Sequence, residues 1–481
     1  MNTKRNWKIV YSNYSGAEKK AIEFLTREVG GLILRDSGVY TIHVLACEHA
    51  NCTEINKNAI VIGTYSENEI IRKYIKKDEI PENGYVVKVM DNPENSDLKL
   101  VLITAEKSRE VFYGAIDFVD GYLTFEAPKR GWLAFPSEFF ERKIPDYYNA
   151  SAPAIKTRNV WTWGHPIDDY REYIDNIARL RLNQVTIWND FAPLNAKEIV
   201  DYAHEYGIEV IWGYAWGWSR NCTQVDFNNL SKLGDEIVEK YEKEYLTTGA
   251  DGIYFQSFTE LHEEYIGNRL IADVVTEFVN QTADKLLAKY PQLHIQFGLH
   301  ATSVKDRLEY IAKVDRRISI VWEDCGAFPY YYIPQVNDEA EYKKTVEFTD
   351  KILALRDGVG FGALYKGHLV QDWEGDKFSH QSGPFVLGMT SEKTKKSDME
   401  IAKPVWKRFQ TGWQMYGRYA YDMTRHIAEK TGGDTLLGIV GNFNGGIWFS
   451  EALCAQILWE CDKPYNEIYE NVANRKNIIT V

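Results

Sequence analysis

Residues 158–190, RNVWTWGHPIDDYREYIDNIARLRLNQVTIWND, are the stretch that decides the fold. A short run rich in β-branched and aromatic residues comes first, an amphipathic helical pattern follows, and a second β-rich run ends the stretch. Near-continuous apolar strands that alternate with helices are typical of a parallel sheet whose faces the helices cover. The stretch therefore predicts one strand–helix–strand unit of such a sheet.

The same alternation of strand and helix patterns continues along the chain, where amphipathic helices separate eight β-rich runs. The runs are RNVWTWG (158–164), QVTIWND (184–190), IEVIWGYAWGW (208–218), DGIYFQSFTE (251–260), HIQFGLH (294–300), ISIVWED (318–324), GFGALYKG (360–367) and LLGIVGNFN (436–444). Eight such repeats predict closure into a (β/α)8 TIM barrel. The alternative, a doubly wound open sheet, is disfavoured because no Gly-rich turn follows the first strand.

A smaller α/β region precedes the barrel. AEKKAIEFLTREV (17–29) and REVFYGAIDFVDGYL (109–123) have helical periodicity, and IVIGT (60–64) has the pattern of a short buried strand. The segment PDYYNASAPAIK (145–156) lacks periodicity and is interpreted as a linker. We therefore expect a small α/β domain over residues 1–150 and the barrel, with its terminal helices, over residues 151–481.

Composition narrows the class of partner. The net charge of -13 repels phosphate backbones, so nucleic acid is not an expected partner. We find no secretory signal at the start and no run of roughly 18 apolar residues, which favours a cytoplasmic protein that does not bind membranes. The six cysteines form no CxxC pair, and we recognise no metal-ligand spacing. No cofactor is expected, and a homo-oligomer is compatible with the sequence.

Residues suited to binding a sugar gather where the predicted strands end, which is the functional end of this barrel class. Indoles offer apolar faces for the C–H surface of a pyranose, and the polar groups offer partners for its hydroxyls. The candidates are Trp161, Trp163, His165, Trp188, Asn189, Trp216, Trp218, His300, Trp322, Glu323, Lys366, Asp372, Trp373, Asn444 and Trp448. They predict an indole-walled cup for a sugar of an oligosaccharide or small glycoside.

Cleavage of a glycosidic bond needs two carboxyl groups that face it, one protonated and one ionised. Glu260 follows the strand DGIYFQSF, and its apolar neighbours Phe258 and Leu261 would disfavour the charged form, which suits a general acid. As its partner we choose Asp324, which shares a strand face with Trp322 if side chains alternate. The remaining candidates are Glu374, which comes next, and Glu323, Asp372 and Asp190.

The chain resembles the glycoside hydrolases of families 67, 20 and 84, which are α-glucuronidases and β-N-acetylhexosaminidases with a small α/β domain ahead of a (β/α)8 barrel. AEKSREVFYGAIDFVDGYL (105–123) is similar to the last helix of that first domain, and KTRNVWTW (156–163) to the first barrel strand. The resemblance implies that Arg158 reaches the sugar. It also implies that Glu260, at the end of GADGIYFQSFTE (249–260), is the acid.

Departures from these families select among their activities. Hexosaminidases of this group have two adjacent acidic residues after the fourth strand, whereas Thr259 precedes Glu260 here. α-Glucuronidases have one glutamate there and need a cation for the uronate, which Lys366 and Arg158 could supply. Their large helical carboxyl-terminal domain has no counterpart after the eighth run. We therefore expect an α-glucuronidase-like exo-glycosidase that removes a terminal sugar, with a uronic acid as one candidate.

Other functions stay open at this point. A β-N-acetylhexosaminidase-like enzyme and a carbohydrate-binding protein without catalysis share the same residues. A third alternative is a lyase or isomerase acting on a sugar acid, with His300 or Lys366 as base, and such enzymes usually need a metal. The stereochemical outcome of hydrolysis depends on the distance between the carboxyl groups, roughly 5–5.5 Å for retention and 6.5–9.5 Å for inversion.

Overall fold

A computed structural model describes residues 7–33, 46–52, 55–131, 144–162, 167–189, 191–217, 225–332, 339–356, 360–366, 383–441 and 444–481. The chain divides into two compact units. The first comprises Met1–Pro153, His204–Gly207 and Glu470–Asn477, and the second comprises Ala154–Ala203, Ile208–Tyr469 and Ile478–Val481. Within the described ranges, no helix combines the length and the apolar character that crossing a membrane requires.

The first unit is built on one mixed sheet. Its strands are β1 Trp7–Tyr11, β2 Ala46–His49, β3 Asn58–Thr64, β4 Tyr85–Asn92, β5 Asn95–Ala105 and β6 Tyr147–Ser151, and its helices are α1 Gly16–Ile33, α2 Glu69–Tyr74, α3 Ser108–Ile116 and α4 Ala127–Lys129. A π-helical segment, Asp117–Glu126, joins the last two helices. The strand order is β2-β1-β3-β5-β4-β6, in which β4 runs antiparallel to both of its neighbours. All seven residues of β3 are buried.

Eight parallel strands of the described chain close into a barrel. From residue 154 onward the strands are β7 Thr157–Trp161, β8 Gln184–Trp188, β9 Glu209–Gly213, β10 Gly252–Gln256, β11 Tyr265–Ile266, β12 Arg269–Leu270, β13 His294–Leu299, β14 Ile318–Cys325, β15 Phe361–Tyr365, β16 Leu436–Val440, β17 Ile447–Trp448 and β18 Ile478–Ile479. The closed order is β10-β13-β14-β15-β16-β7-β8-β9. Each of the eight predicted runs overlaps one strand of the barrel, so the predicted (β/α)8 fold class is confirmed.

Helices follow the barrel strands. They are α5 Tyr170–Arg179, α6 Ala196–His204, α7 Leu230–Lys240, α8 Ile271–Lys289, α9 Leu308–Ile311, α10 Glu339–Leu353, α11 Glu392–Thr431, α12 Phe449–Glu460 and α13 Tyr465–Ala473. Local sequence sets their ends. The Asp169 side chain caps α5 by accepting hydrogen bonds from two backbone N–H groups of its first turn. Gly432 ends α11 with φ +62°, a left-handed conformation that glycine adopts without steric cost.

Inward-facing side chains fill the barrel in layers. Near the amino ends of the strands the Asn159 amide donates to Gln184 Oε1 (2.9 Å) and to Thr186 Oγ1 (3.0 Å), and Gln296 donates to the same Gln184 oxygen. Further along the strands an apolar cluster includes Trp161, which packs with residues of several other strands. The barrel is therefore a packed core with an amide layer joined by hydrogen bonds, in which Asn159 Oδ1 has no hydrogen-bond partner among the described residues.

Candidate active site

Among the described residues, five ionisable side chains meet at the carboxyl ends of four adjacent barrel strands. Glu260 follows β10, His300 follows β13, Glu323 and Asp324 belong to the end of β14, and Lys366 follows β15. Because neighbouring parallel strands end at the same edge, residues far apart in sequence come into contact here. The predicted candidates Glu260, His300, Glu323, Asp324 and Lys366 are thus brought together.

His300 lies at the centre of this ionic cluster. Its Nδ1 is 2.9 Å from Asp324 Oδ2, and its Nε2 is 3.3 Å from Glu260 Oε1 and 3.5 Å from Glu323 Oε1. Burial by itself lowers the pKa of His300, but the negative charges of Asp324, Glu260 and Glu323 outweigh it and raise the pKa to about 9. At neutral pH the ring is therefore an imidazolium surrounded by carboxyl groups.

Asp324 is held by two cations. Lys366 Nζ lies 3.0 Å from Asp324 Oδ1, and the other carboxylate oxygen faces His300. Burial opposes ionisation of Asp324, yet the charges of His300 and Lys366 and their hydrogen bonds hold its pKa below the usual range. Lys366 is buried as well, and the negative charges of Asp324 and Glu323 overcome that burial and raise its pKa. This pair therefore stays ionised in the barrel mouth.

Glu323 has a different environment from its neighbour in sequence. Its side chain is fully buried, Tyr254 donates its hydroxyl hydrogen to Glu323 Oε2 (2.7 Å), and the Gln256 amide donates to the same oxygen. Burial raises the pKa of Glu323, and the positive charges of Lys366 and His300 offset only part of that effect. Two adjacent carboxyl groups thus have pKa values moved in opposite directions, as in sites that separate acid and base roles.

A shift in strand register explains how Glu323 and Asp324 both reach the cluster. Strict alternation would place Trp322 and Asp324 on one face. The pairing of β14 with β15 changes register between Trp322 and Cys325, so alternation fails there. Trp322 instead packs against Phe348 of α10, with ring centroids 5.4 Å apart, on the helix side of the sheet. The argument from alternation for Asp324 was therefore wrong, although Asp324 does belong to the cluster.

Glu260 lies in a short 3-10 turn, Phe258–Glu260. Its side chain is 30% exposed, against 0% for Glu323 and 3% for Asp324, so it is the most accessible of the three carboxyl groups. Phe258 points away from it, toward Phe227 and Phe278. The structure gives the Glu260 carboxyl group a charged neighbour, His300, and the predicted apolar enclosure by Phe258 is wrong.

The predicted indole cup is not seen among the described tryptophans. Trp161 and Trp188 pack on the Tyr254 ring, at centroid distances of 5.6 and 6.2 Å, and Trp216 stacks on Phe255 at 3.8 Å. Exposure is 0% for Trp161, 6% for Trp188, 0% for Trp216, 0% for Trp322 and 2% for Trp448. Large aromatic surfaces are buried wherever the core can take them, so these rings fill the barrel mouth and the sheet–helix interface.

Three further candidates, Trp448, Asn444 and Asn189, lie outside the cluster. Trp448 stacks on Trp406 of α11 at 5.3 Å, and its indole N–H donates to the Asn444 carbonyl (3.2 Å). The Asn444 side chain in turn accepts from the Asp168 backbone N–H (2.9 Å). These contacts support loop structure. Asn189 is 7% exposed, and its amide nitrogen has no hydrogen-bond partner among the described residues.

Arg158 does not belong to the site. β7 begins at Thr157, so this side chain lies near the amino end of the barrel. Its guanidinium donates to the carbonyls of Ile155 (2.7 Å), Lys156 (3.0 Å) and Arg181 (2.8 Å) and lies over the Trp459 ring at 5.1 Å. The expectation that Arg158 reaches the sugar is wrong, because a residue at the start of a strand is a strand's length away from the carboxyl end.

Several candidates cannot be placed. Trp163, His165, Asp190, Trp218, Asp372, Trp373 and Glu374 lie outside the described residues. Tyr254 and Gln256, which hold Glu323, were missed by the sequence reasoning. The sequence could have identified both residues, because side chains alternate along a strand. Positions 254 and 256, on either side of Phe255 in β10, therefore share the inward face.

A metal-ligand set also emerges from the described residues. His300, Glu323 and Asp324 each offer one ligand atom, and these atoms lie within 4.8 Å of one another. Sequence spacing could not show this set, because its members come from two strands. His300 and Lys366 offset the charge of these carboxyl groups. His300 Nδ1, Glu323 Oε1 and Asp324 Oδ2 nevertheless have no hydrogen-bond partner among the described residues.

Comparison with known proteins finds similarity of structure but no match of sequence. No family model and no curated protein matches the sequence. Among solved structures, CpGH84B matches with a TM-score of 0.52 at 12% identity, over 97% of this chain and 70% of that chain. BtGH115A, a family GH115 4-O-methyl-α-glucuronidase with specificity for decorated arabinogalactans, matches with a TM-score of 0.51 at 13% identity, over 96% of this chain and 57% of that chain.

The fold is that of these glycoside hydrolases. At such low identity the likeness shows the fold and nothing finer. The resemblance to barrel glycoside hydrolases with a preceding α/β domain is therefore confirmed at the level of architecture.

Proposed function

We propose that the protein is an exo-acting glycoside hydrolase that removes a terminal sugar from an oligosaccharide or small glycoside. The observation that carries the proposal is the ionic cluster at the carboxyl end of the barrel. It combines an accessible carboxyl group, Glu260, with an ionised one, Asp324, on a fold shared with two glycoside hydrolases. The reaction needs two carboxyl groups that face one glycosidic bond.

Glu260 is assigned as the general acid and Asp324 as the ionised partner. Glu260 is the group that a leaving oxygen can reach, because Glu323 and Asp324 are almost wholly buried. The His300 imidazole lies between Glu260 Oε1 and Asp324 Oδ2, contacting each with a different ring nitrogen.

A terminal uronic acid is the substrate class that the likeness to a 4-O-methyl-α-glucuronidase supports. Lys366 and His300 are paired with Asp324 and Glu260, so a carboxylate on the sugar would exchange with one of these carboxyl groups to reach a cation. N-acetylglucosamine is a weaker candidate. Thr259 is fully buried and offers no carboxyl group to orient an acetamido group.

A panel of chromogenic glycosides, uronides included, tests the proposal with wild-type protein, Glu260→Gln and Glu263→Gln. We expect hydrolysis of at least one uronide, and loss of about three orders of magnitude in turnover with binding retained in Glu260→Gln. Glu263 is an exposed acid three residues away and serves as the matched control. Binding of sugars without cleavage by wild-type protein would support the non-catalytic alternative, and equal turnover in all three proteins would remove Glu260 from its role.

The metal-ligand set favours a second candidate, a metal-assisted lyase or isomerase acting on a sugar acid. Metal content of the purified protein and activity before and after treatment with chelator separate the two proposals. Activity that chelator abolishes and a divalent ion restores would favour this second candidate. Activity indifferent to chelator favours hydrolysis by carboxyl groups alone.

A further inference from the structure

We propose that Phe328 and Tyr331, in the segment 326–332 after β14, form an aromatic wall against which the sugar packs the apolar C–H face of its ring. The choice of a sugar as the ligand rests on the proposed function, whereas the position of the two rings beside the ionic cluster does not. The wall is assigned to binding and has no part in proton transfer. Neither residue was named as a candidate from the sequence.

The backbone fixes this segment to the end of β14. Ala327 and Phe328 donate their backbone N–H groups to the Asp324 carbonyl, at 2.8 and 3.0 Å. Tyr332 donates its backbone N–H to the Gly326 carbonyl (3.1 Å), and Gly326 has φ +84°, which glycine adopts without steric cost. The segment is therefore a compact turn that begins at a member of the ionic cluster.

Two of its tyrosines anchor the turn to helices of the barrel. Tyr330 packs on Phe348 of α10, with ring centroids 5.8 Å apart. Tyr332 is fully buried and packs on Tyr342 of α10 at 5.3 Å and on Tyr419 of α11 at 5.6 Å. With these two rings held by helices, the two remaining aromatic rings of the segment have a defined position.

Those two rings border the ionic cluster. The ring centroid of Phe328 lies 6.1 Å from that of His300, and Tyr331 packs edge-to-face on Phe328 at 5.5 Å. Burial and then the charge of Asp324 raise the pKa of the Tyr331 hydroxyl, so this hydroxyl lies within electrostatic range of the cluster. His300 also contacts Glu260, so the aromatic wall and the accessible carboxyl group share one neighbour.

Exposure separates this wall from the predicted indole cup. Tyr331 is 41% exposed and Phe328 is partly exposed, whereas none of the described tryptophan candidates is more than 6% exposed. Apolar surface that stays accessible beside a few polar groups is typical of ligand sites. A pyranose matches this combination, because its C–H face can cover an aromatic ring while its hydroxyls reach polar neighbours.

Isothermal titration calorimetry on the whole chain tests the wall without any need for turnover. The probes are D-glucuronate, D-galactose, D-xylose and N-acetyl-D-glucosamine, titrated into wild type, Tyr331→Ala and Tyr331→Phe. We expect at least one probe to bind wild type and Tyr331→Ala to weaken its binding about tenfold. Tyr331→Phe keeps the ring and should bind within about twofold of wild type.

Tyr148→Ala is the matched control. Tyr148 belongs to β6 of the first unit and is 50% exposed, so its replacement removes a comparable exposed ring elsewhere in the chain. This variant should bind the probe as wild type does. Phe328→Ala gives an independent test at the ring nearer His300 and should also weaken binding about tenfold. Because Tyr331 is exposed, its variants keep the test decisive if Phe328→Ala folds poorly.

The outcomes separate the wall from the proposed function. Wild-type affinity in both Tyr331→Ala and folded Phe328→Ala, or no binding of any probe by wild type, overturns the wall. If wild type cleaves glycosides while these variants bind as it does, the hydrolase proposal stands and the wall alone fails. Binding that the variants lose, without cleavage by wild type, supports the wall and contradicts hydrolysis.

Kinetics give a second measure once a cleaved glycoside is known. Tyr331→Ala should raise KM by about tenfold and change kcat by less than about threefold, because packing against the sugar is the same before and during bond cleavage. A fall in kcat with KM unchanged would contradict a binding role for this ring.

Discussion

Arg158 and Lys366 are both buried cations of one barrel, and both were expected to bind a uronate, yet they do different work. Arg158 lies near the amino ends of the strands and donates to three backbone carbonyls. Lys366 lies at the carboxyl ends and pairs with the Asp324 carboxylate at 3.0 Å. The carbonyl groups at the strand starts accept hydrogen bonds that stabilise the fold. The ion pairs at the strand ends lie where barrels of this class bind their substrates.

The layers around these two cations differ in the same way. Near Arg158 the barrel interior holds neutral amides, with Asn159, Gln184 and Gln296 bonded to one another. Near Lys366 it holds an imidazole and carboxyl groups with strongly shifted pKa values. Shifted pKa values concentrate at functional sites because function requires charge in a buried place. The contrast predicts that substitutions at the carboxyl end of the barrel change activity, whereas substitutions at the amino end change stability.

The largest expected effect is that of Lys366→Met. Without this cation the Asp324 carboxylate depends on His300 alone, and we expect kcat/KM to fall about 100-fold or more. The measurement is steady-state kinetics on a cleaved glycoside at constant pH. Arg158→Met is the control at the opposite end, and its folded fraction should keep kcat/KM within about twofold of wild type. An equal loss of activity in both variants would contradict the comparison.

Arg158→Met should instead reduce stability. Three buried carbonyl oxygens lose charged donors, and we expect the free energy of unfolding to fall by about 3 kcal/mol. Urea denaturation followed by tryptophan fluorescence measures it. A variant as stable as wild type would show that these carbonyls find other partners and that the amino end is not held by this side chain.

His300 should make stability depend on pH in one direction. Its pKa rises from the usual 6.5 to about 9 on folding, so the folded state holds a proton that the unfolded chain releases earlier. The stabilisation is complete below about pH 6.5 and is lost as pH rises through 9, by about 3 kcal/mol in total. Unfolding free energies at pH 6.5 and 9.5 for wild type and His300→Gln test this. A loss of the same size in His300→Gln would assign the dependence to other groups.

The smallest effect is expected at the amide layer. Gln296→Met removes a donor to Gln184, here at 3.3 Å, and should lower the free energy of unfolding by about 1 kcal/mol. The His300 titration should not move, because no charge changes at the carboxyl end. A shifted His300 midpoint in this variant would falsify the independence of the two barrel ends.

Sequence reasoning located the carboxyl-end cluster well and its internal contacts poorly. Glu260, His300, Glu323, Asp324 and Lys366 were all named from their places at the ends of predicted strands, since strand order alone brings such residues to one edge. The roles given to tryptophans failed, because a position at a strand end does not say whether an indole faces the mouth or a helix. The orientation of an indole depends on which face of the strand its residue occupies and on the space that neighbouring strands leave there. Gly298 and Gly213 leave such space for the rings of Tyr254 and Trp188.

The repeat of strand and helix determined the barrel and fixed which end would carry chemistry, because local periodicity and the parallel arrangement of strands are properties of the chain itself. Tertiary structure decided which neighbours share a proton or a charge. The register shift after Trp322 brought Glu323 and Asp324 to the same ring, and residues more than forty positions apart became partners. Such contacts depend on distances across the barrel, which no local pattern in the sequence encodes.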